Sequence, residues 1–311
     1  MGTEFATDGA AVRESPVSAW GIQRNWRLIR TLGRGGEGAV YLVEDDRSGI
    51  RYAAKIFSSP RSKASCIGLQ IYSERIHDAE PLGLPRIELL ENEKEILGVA
   101  YQHHRLHKVH HRLLGSRDQL AQSLAGSYCR MQYYLMSTSK LALWDADSSN
   151  FLLRKDGVFQ WIDFGWGVAP IDGPVCIEQG LFGYGFAMHL LSLYNVNIKP
   201  AVEPSEGYSY TKSCRYCMDP RLDVVALKHA WLRDILSEVR SQPSTVFLQP
   251  EFWRRLGERL PHKVTAPWAA ILASDVFNGA SRVKKQLWQL VRSGQVDSKV
   301  EDSGEDQAVH L

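Results

Sequence analysis

The chain has no apolar run long enough to cross a membrane, and its first twenty residues lack the basic, apolar and cleavage regions of a signal peptide. Neither a spanning helix nor export by the general pathway is expected. It has little charge of one sign: 37 basic residues against 35 acidic ones leave +2, which excludes a global attraction to nucleic acid or an anionic membrane and confines charge-driven recognition to local patches. Cysteine is scarce. Five residues, odd in number and widely spaced, argue against a disulfide scaffold and for a reducing compartment, so the reading is cytoplasmic. Gly2 stands where myristoylation needs it, but Ala6 stands where serine or threonine is required. No internal repeat occurs at solenoid periods.

What is present is enough for a large core: 311 residues at 44% hydrophobic content allow one large domain or two lobes around a cleft. Residues 1–20 are small and polar without periodicity, and Asp297 to Gln307 is acidic with Ser and Gly, so disordered tails are expected at 1–20 and 293–311. Between them, β-branched and aromatic runs at Trp26–Ile29, Ala39–Val43 and Tyr52–Phe57, split by glycine-rich or Asp/Ser/Gly breaks, predict a three-stranded antiparallel meander. A helix is expected around Ser62 to Ala79, then strands at Arg86–Glu91 and Glu95–Tyr101. Residues 21–101 thus read as five strands and one helix. Residues 102–292 read as mainly helical, interrupted by a strand-like insertion from Leu141 to Ile162 and including an apolar helix over Gly183–Tyr194.

The chemistry-bearing residues fall in order along this frame. Gly33, Gly35, Gly36 and Gly38 lie in the turn between the first two strands, where missing Cβ atoms let backbone close over a polyphosphate. Lys55, on the third strand, can point an ammonium at phosphates, and Glu74 on the following helix is the expected partner, with Glu80 as the competitor. Asp145 and Asn150 then stand five residues apart before the apolar strand Phe151–Leu153. A hairpin through Arg154–Gly157 returns to Val158–Ile162 and Asp163-Phe164-Gly165. Three oxygen-bearing side chains at one end of one hairpin suit phosphoryl transfer, which needs a carboxylate for the attacking hydroxyl and hard oxygen ligands for magnesium.

Taken together, glycine turn, strand lysine, helix glutamate, Asp-x4-Asn and Asp-Phe-Gly make residues 26–165 resemble the protein kinases. The resemblance implies a two-lobed α+β fold with ATP between the lobes and magnesium, or manganese in its place, as the metal. It implies that Asp145 is the catalytic base, Asn150 and Asp163 the metal ligands, and Lys55 with Glu74 the phosphate clamp. Val40, Ala53 and Leu152 would sandwich the adenine, with backbone near Tyr101–His104 bonding its edge. The expected activity is transfer of the γ-phosphate to a hydroxyl, with protein serine or threonine as first choice of acceptor and a small molecule or glycan as second. A pseudokinase binding module and a kinase-fold nucleotidyl transferase are the rival classes.

The pattern also departs from the family. Leu143-Trp144-Asp145 stands where His-Arg-Asp is usual, Asp147 where lysine or histidine is common, and no Ala-Pro-Glu follows Gly165. The short segment resembles that of RIO-type, lipopolysaccharide-core and aminoglycoside-type kinases. His103, His104, His107, His110 and His111, interleaved with Arg105, Lys108 and Arg112, read as a solvated basic helix or an anion-binding rim rather than a metal site. Cys214-x-x-Cys217 has metal spacing without a second pair, and Phe252, Trp253, Trp268 and Trp288 read as core.

Overall fold

The computed structural model describes residues 24–103, 107–108, 118–143, 150–154, 156–164, 168–172 and 220–264. It is an α+β structure built on a five-stranded antiparallel sheet. The strands are β1 (Trp26–Gly35), β2 (Gly38–Asp45), β3 (Arg51–Ser62), β4 (Ile87–Glu91) and β5 (Glu95–Gln102), in the order β1-β2-β3-β5-β4. Alternation along β3 explains the two faces. Ala53 and Phe57 look into the main core, and Ala54 and Ile56 join Trp26, Val43, Leu90, Leu97 and Ala100 in a smaller cluster on the other side. The Trp26 and Tyr52 rings stack there with centroids 5.5 Å apart.

The helix expected over Ser62–Ala79 is shorter than its pattern suggests. A 3₁₀ turn at Lys63–Cys66, capped by the Ser62 hydroxyl accepting from the Ser65 N–H at 3.2 Å, leads into α1 (Ile67–Arg75). Leu69 and Tyr72 are buried, and the chain turns extended at Ile76, also buried. Pro81 would interrupt any longer helix by removing an N–H and crowding the preceding turn. Gly83 follows at φ +87°, and a Cβ there would stand 1.8 Å from the Phe159 carbonyl oxygen. Only glycine fits, because the strand Phe159–Trp161 passes against this turn and the Trp161 N–H donates to the Gly83 carbonyl at 2.9 Å.

After β6 (His107–Lys108) comes α2 (Asp118–Ser139), followed by β7 (Leu141–Leu143), β8 (Phe151–Leu153), β9 (Phe159–Trp161) and β10 (Val168–Pro170). β8 and β9 form an antiparallel hairpin with β6 on its outer edge, and β7 pairs with β10. The helical spacing of the histidine stretch is therefore corrected: His107 and Lys108 are extended and pair with Leu153 and Leu152. Gln132, buried on α2, ties down β7 by accepting the Leu143 N–H at 2.9 Å, while its amide donates to the Tyr128 hydroxyl at 2.7 Å.

The C-terminal elements are α3 (Pro220–Ala226), α4 (Ala230–Ser241) and α5 (Pro250–Arg259). Leu232, Ile235, Leu236 and Val239 give α4 one apolar face at helical spacing. α5 lies against α2, where Trp253 meets Tyr128 edge-on at 5.6 Å. Phe252 and Trp253 are core, as expected. Among the described residues no helix is long and apolar enough to cross a membrane. The Gly183–Tyr194 helix, Cys214, Cys217, Trp268, Trp288, both expected tails and most of the histidine stretch lie outside the described residues.

Candidate functional site

The site begins with strand alternation. Lys55 shares the core-facing side of β3 with Ala53 and Phe57, opposite Val40 on β2 and Val99 on β5. Its side chain therefore points under the sheet instead of into solvent, and only 13% of it is exposed. A lysine in that position needs an anion. Two are supplied: Asp163 Oδ1 at 2.7 Å and Glu37 Oε2 at 3.0 Å. Burial alone would lower the Lys55 pKa, but Asp163 and then Glu37 outweigh it, and the ammonium titrates above its ordinary value.

Asp163 is held there by its neighbour. Phe164 is fully buried, with ring centroids 4.7 Å from Trp161, 5.3 Å from Tyr72 on α1 and 5.5 Å from Tyr101 on β5. One aromatic cluster thus joins the hairpin, the helix and the sheet. Burial, with the Asp163 charge adding to it, pushes the Tyr101 hydroxyl pKa up. Asn150 lies at the same end of the hairpin, because the Ile162 N–H donates to the Asn150 carbonyl at 2.9 Å, one step beyond the Phe151–Trp161 pair. Asp163 carboxylate and Asn150 amide are hard oxygen donors of the kind magnesium takes when substrate phosphates complete its shell. Among the described residues no cluster of three or more His, Cys, Asp or Glu side chains is arranged to hold a metal ion.

The glycine turn caps Lys55. Gly38 has φ +149°, and a Cβ there would approach the Ile56 carbonyl oxygen to 2.0 Å, so this glycine is needed for the hairpin itself. Gly33, Gly35 and Gly36 are different: a Cβ on any of them meets nothing within 4 Å. Their lack of side chains is therefore not required by close packing of the turn.

Val40 and Ala53 both pack on the main core, Ala53 fully buried, and Leu152 is half-buried on β8. At the strand edge the His103 N–H already donates to the Arg51 carbonyl at 2.8 Å, so that group of the Tyr101–His104 stretch is used within the sheet. Asp145 and Asp147 lie outside the described residues, as do His104 and Gly165.

Glu74 is not brought to Lys55. It sits exposed in the last turn of α1, two residues from Tyr72 and two from Ile76, which places it on the face opposite the buried one. Glu37, inside the glycine turn, is the second carboxylate on the lysine, and it also lies 3.6 Å from Arg61. Sequence reading missed Glu37 because the turn was read for its glycines. It missed Arg61 because the strand was expected to end at Phe57. No protein-family model matches the chain, and no curated protein matches it either.

Proposed function

We propose that this chain is an ATP- and magnesium-dependent phosphotransferase with a two-lobed, protein-kinase-like fold that transfers the γ-phosphate to a hydroxyl. One observation carries the reading. Lys55 and Asp163, picked out by separate motifs 108 residues apart, meet at 2.7 Å, with Glu37 of the glycine turn on the same lysine. The pair neutralises itself. A metal–polyphosphate complex offers an anion to the lysine and a cation to the carboxylate, so each partner can be exchanged for a group of the same sign without leaving a buried charge.

In this reading the sheet and α1 form the smaller lobe (21–101) and residues 102–292 the larger. Lys55 orients the α- and β-phosphates, and Val40, Ala53 and Leu152 flank the adenine. Asn150 and Asp163 hold the metal, which when bound neutralises charge on the phosphate oxygens. Asp145 accepts the proton of the acceptor hydroxyl as its oxygen bonds to the γ-phosphorus. The bond from that phosphorus to the β–γ bridging oxygen breaks, and ADP leaves. Protein serine or threonine is the first choice of acceptor, on the likeness of the glycine turn. A small molecule or glycan is the second, on the short segment after Gly165.

The test is incubation of the purified chain with γ-labelled and, separately, α-labelled ATP over a lysate. Label should pass from the γ position only, and both Lys55→Ala and Asp163→Asn should abolish it. Asp145→Asn should keep nucleotide binding while turnover falls by a factor on the order of 10²–10⁴. Label from the α position would replace the reading with nucleotidyl transfer. No label from either would leave a binding module.

A further inference from the structure

Two cations and two carboxylates meet beneath the glycine turn, and the kinase resemblance accounts for only Lys55 and Asp163. The others are Arg61 and Glu37. Glu37 Oε2 lies 3.0 Å from Lys55 Nζ and 3.6 Å from Arg61 Nη2, so a single carboxylate oxygen stands between two cations. That is an arrangement well suited to a phosphate oxygen. Arg61 reaches this point because β3 bulges against β5 between Ile56 and Arg61. Its guanidinium lies 4.0 Å from the Phe57 ring centroid, and its side chain is only 10% exposed.

Glu37 is held differently. Its backbone carbonyl accepts the Ser58 N–H at 2.9 Å, which fixes the turn, while its side chain is 38% exposed. Rotation of the side chain alone is enough to withdraw the carboxylate, leaving the backbone of the turn in place. A Cβ on the preceding Gly35 or Gly36 would meet nothing within 4 Å, so this part of the turn is not closely packed. Once Glu37 withdraws, Lys55 keeps Asp163, and the place that one carboxylate oxygen held between Lys55 and Arg61 is open to another anion.

Resting on the phosphotransferase reading, we propose that Arg61 is a second polyphosphate-binding cation beside Lys55, and that Glu37 is an internal anion which holds both and gives way to the polyphosphate. The glycine turn then carries its own competitor. Affinity for a polyphosphate is set against the strength of the Glu37 contacts, and the same anion chemistry serves a nucleoside triphosphate or a bare polyphosphate.

The experiment is equilibrium binding to the purified full chain, with ATP plus magnesium, sodium tripolyphosphate and adenosine as probes. Arg61→Gln should weaken ATP and tripolyphosphate alike by a factor on the order of ten, with adenosine unmoved and Arg61→Lys recovering part of the loss. Glu37→Gln should tighten both phosphate probes several-fold. The proposal is overturned if Arg61→Gln leaves both phosphate affinities unchanged while Lys55→Gln lowers them, or if Glu37→Gln weakens binding. Tripolyphosphate binding as tight as that of ATP, lost with Arg61, would uphold this anion site and sink the nucleotide reading. Binding of neither probe by the wild-type chain would sink both. Melting curves of each variant separate loss of the cation from loss of Arg61 packing on Phe57.

Discussion

The β1–β2 hairpin leaves its turn residues exposed or half-exposed and has two register irregularities, at Leu28/Arg30 and Thr31/Gly33. In the β8–β9 hairpin Phe151, Phe159 and Trp161 are fully buried, and the strands pair without a break. Both hairpins deliver a carboxylate to Lys55: Glu37 from the first and Asp163 from the second. The open hairpin presents its acid on a side chain that can swing. The buried one holds its acid between Phe164 and the β9 strand, where packing leaves little freedom. Two anions on one lysine can therefore play different parts, one fixed and one displaceable.

The largest effect expected from this difference is on stability. Phe164→Ala removes a ring that touches Trp161, Tyr72 and Tyr101, so it should cost about 3–5 kcal/mol in denaturant unfolding. It should also release Asp163 from its position and abolish nucleotide binding in whatever fraction remains folded. A cost under about 1 kcal/mol would mean that the buried hairpin is not the rigid half of the site.

Next in size are the glycines, which divide by position. Gly38→Ala must push a Cβ against the Ile56 carbonyl at an unfavourable φ, and should cost about 1–3 kcal/mol. Gly36→Ala meets nothing, so it should leave the fold unchanged or stabilise it by about 0.4–1 kcal/mol through the unfolded chain. The same methyl group intrudes on the open side of the turn, so ATP affinity should fall as stability holds. If Gly36→Ala binds ATP as well as the wild type, the open space is not where the polyphosphate lies.

A smaller effect follows from the raised Lys55 pKa. A cation whose folded pKa is raised adds stability that is complete below the ordinary lysine value of about 10.4 and is lost as pH rises through the higher folded value. Between about pH 6 and 9 the Lys55 contribution is therefore flat. In alkaline titrations the wild type should lose stability relative to Lys55→Met only above the ordinary lysine value. A gap that opens below pH 9 would show the ion pair to be weaker than its geometry indicates.

How far the sequence revealed all this depended on which signal carried each feature. The apolar and β-branched runs at Tyr52–Phe57 and Glu95–Tyr101, bounded by turn residues, placed the strands, and the pleat then sets the side on which Lys55 stands. The β8–β9 hairpin was legible from the apolar runs on either side of Arg154–Gly157, and its turn does close on Gly157 at φ +82°. What stayed hidden depended on tertiary context. The bulge that brings Arg61 beneath the turn has no composition signature, and Phe164 showed its role as an anchor only when Tyr72 and Tyr101 arrived from other elements. The histidines suggested a helix by spacing, but pairing of His107 and Lys108 with β8 prevailed.

Glu74 is the sharpest case, and its substitution is expected to have the smallest effect. Its place well inside a helix expected to reach Ala79 favours it over Glu80 as the Lys55 partner. The helix ends at Arg75, and its buried face is set by Leu69, Tyr72 and Ile76, which turns Glu74 toward solvent. An exposed side chain outside the core and outside buried ion pairs usually contributes within about 0.5 kcal/mol. Glu74→Gln should therefore leave both unfolding free energy and ATP affinity where they were, while Glu37→Gln moves the latter. The two variants remove the same charge, one from an exposed helix residue and one from the glycine turn, so the contrast is internally controlled. If Glu74→Gln lowers ATP affinity or transfer tenfold, α1 must rotate on nucleotide binding to bring this carboxylate to Lys55. The displaceable partner in the glycine turn would then be exchanged for a helical one.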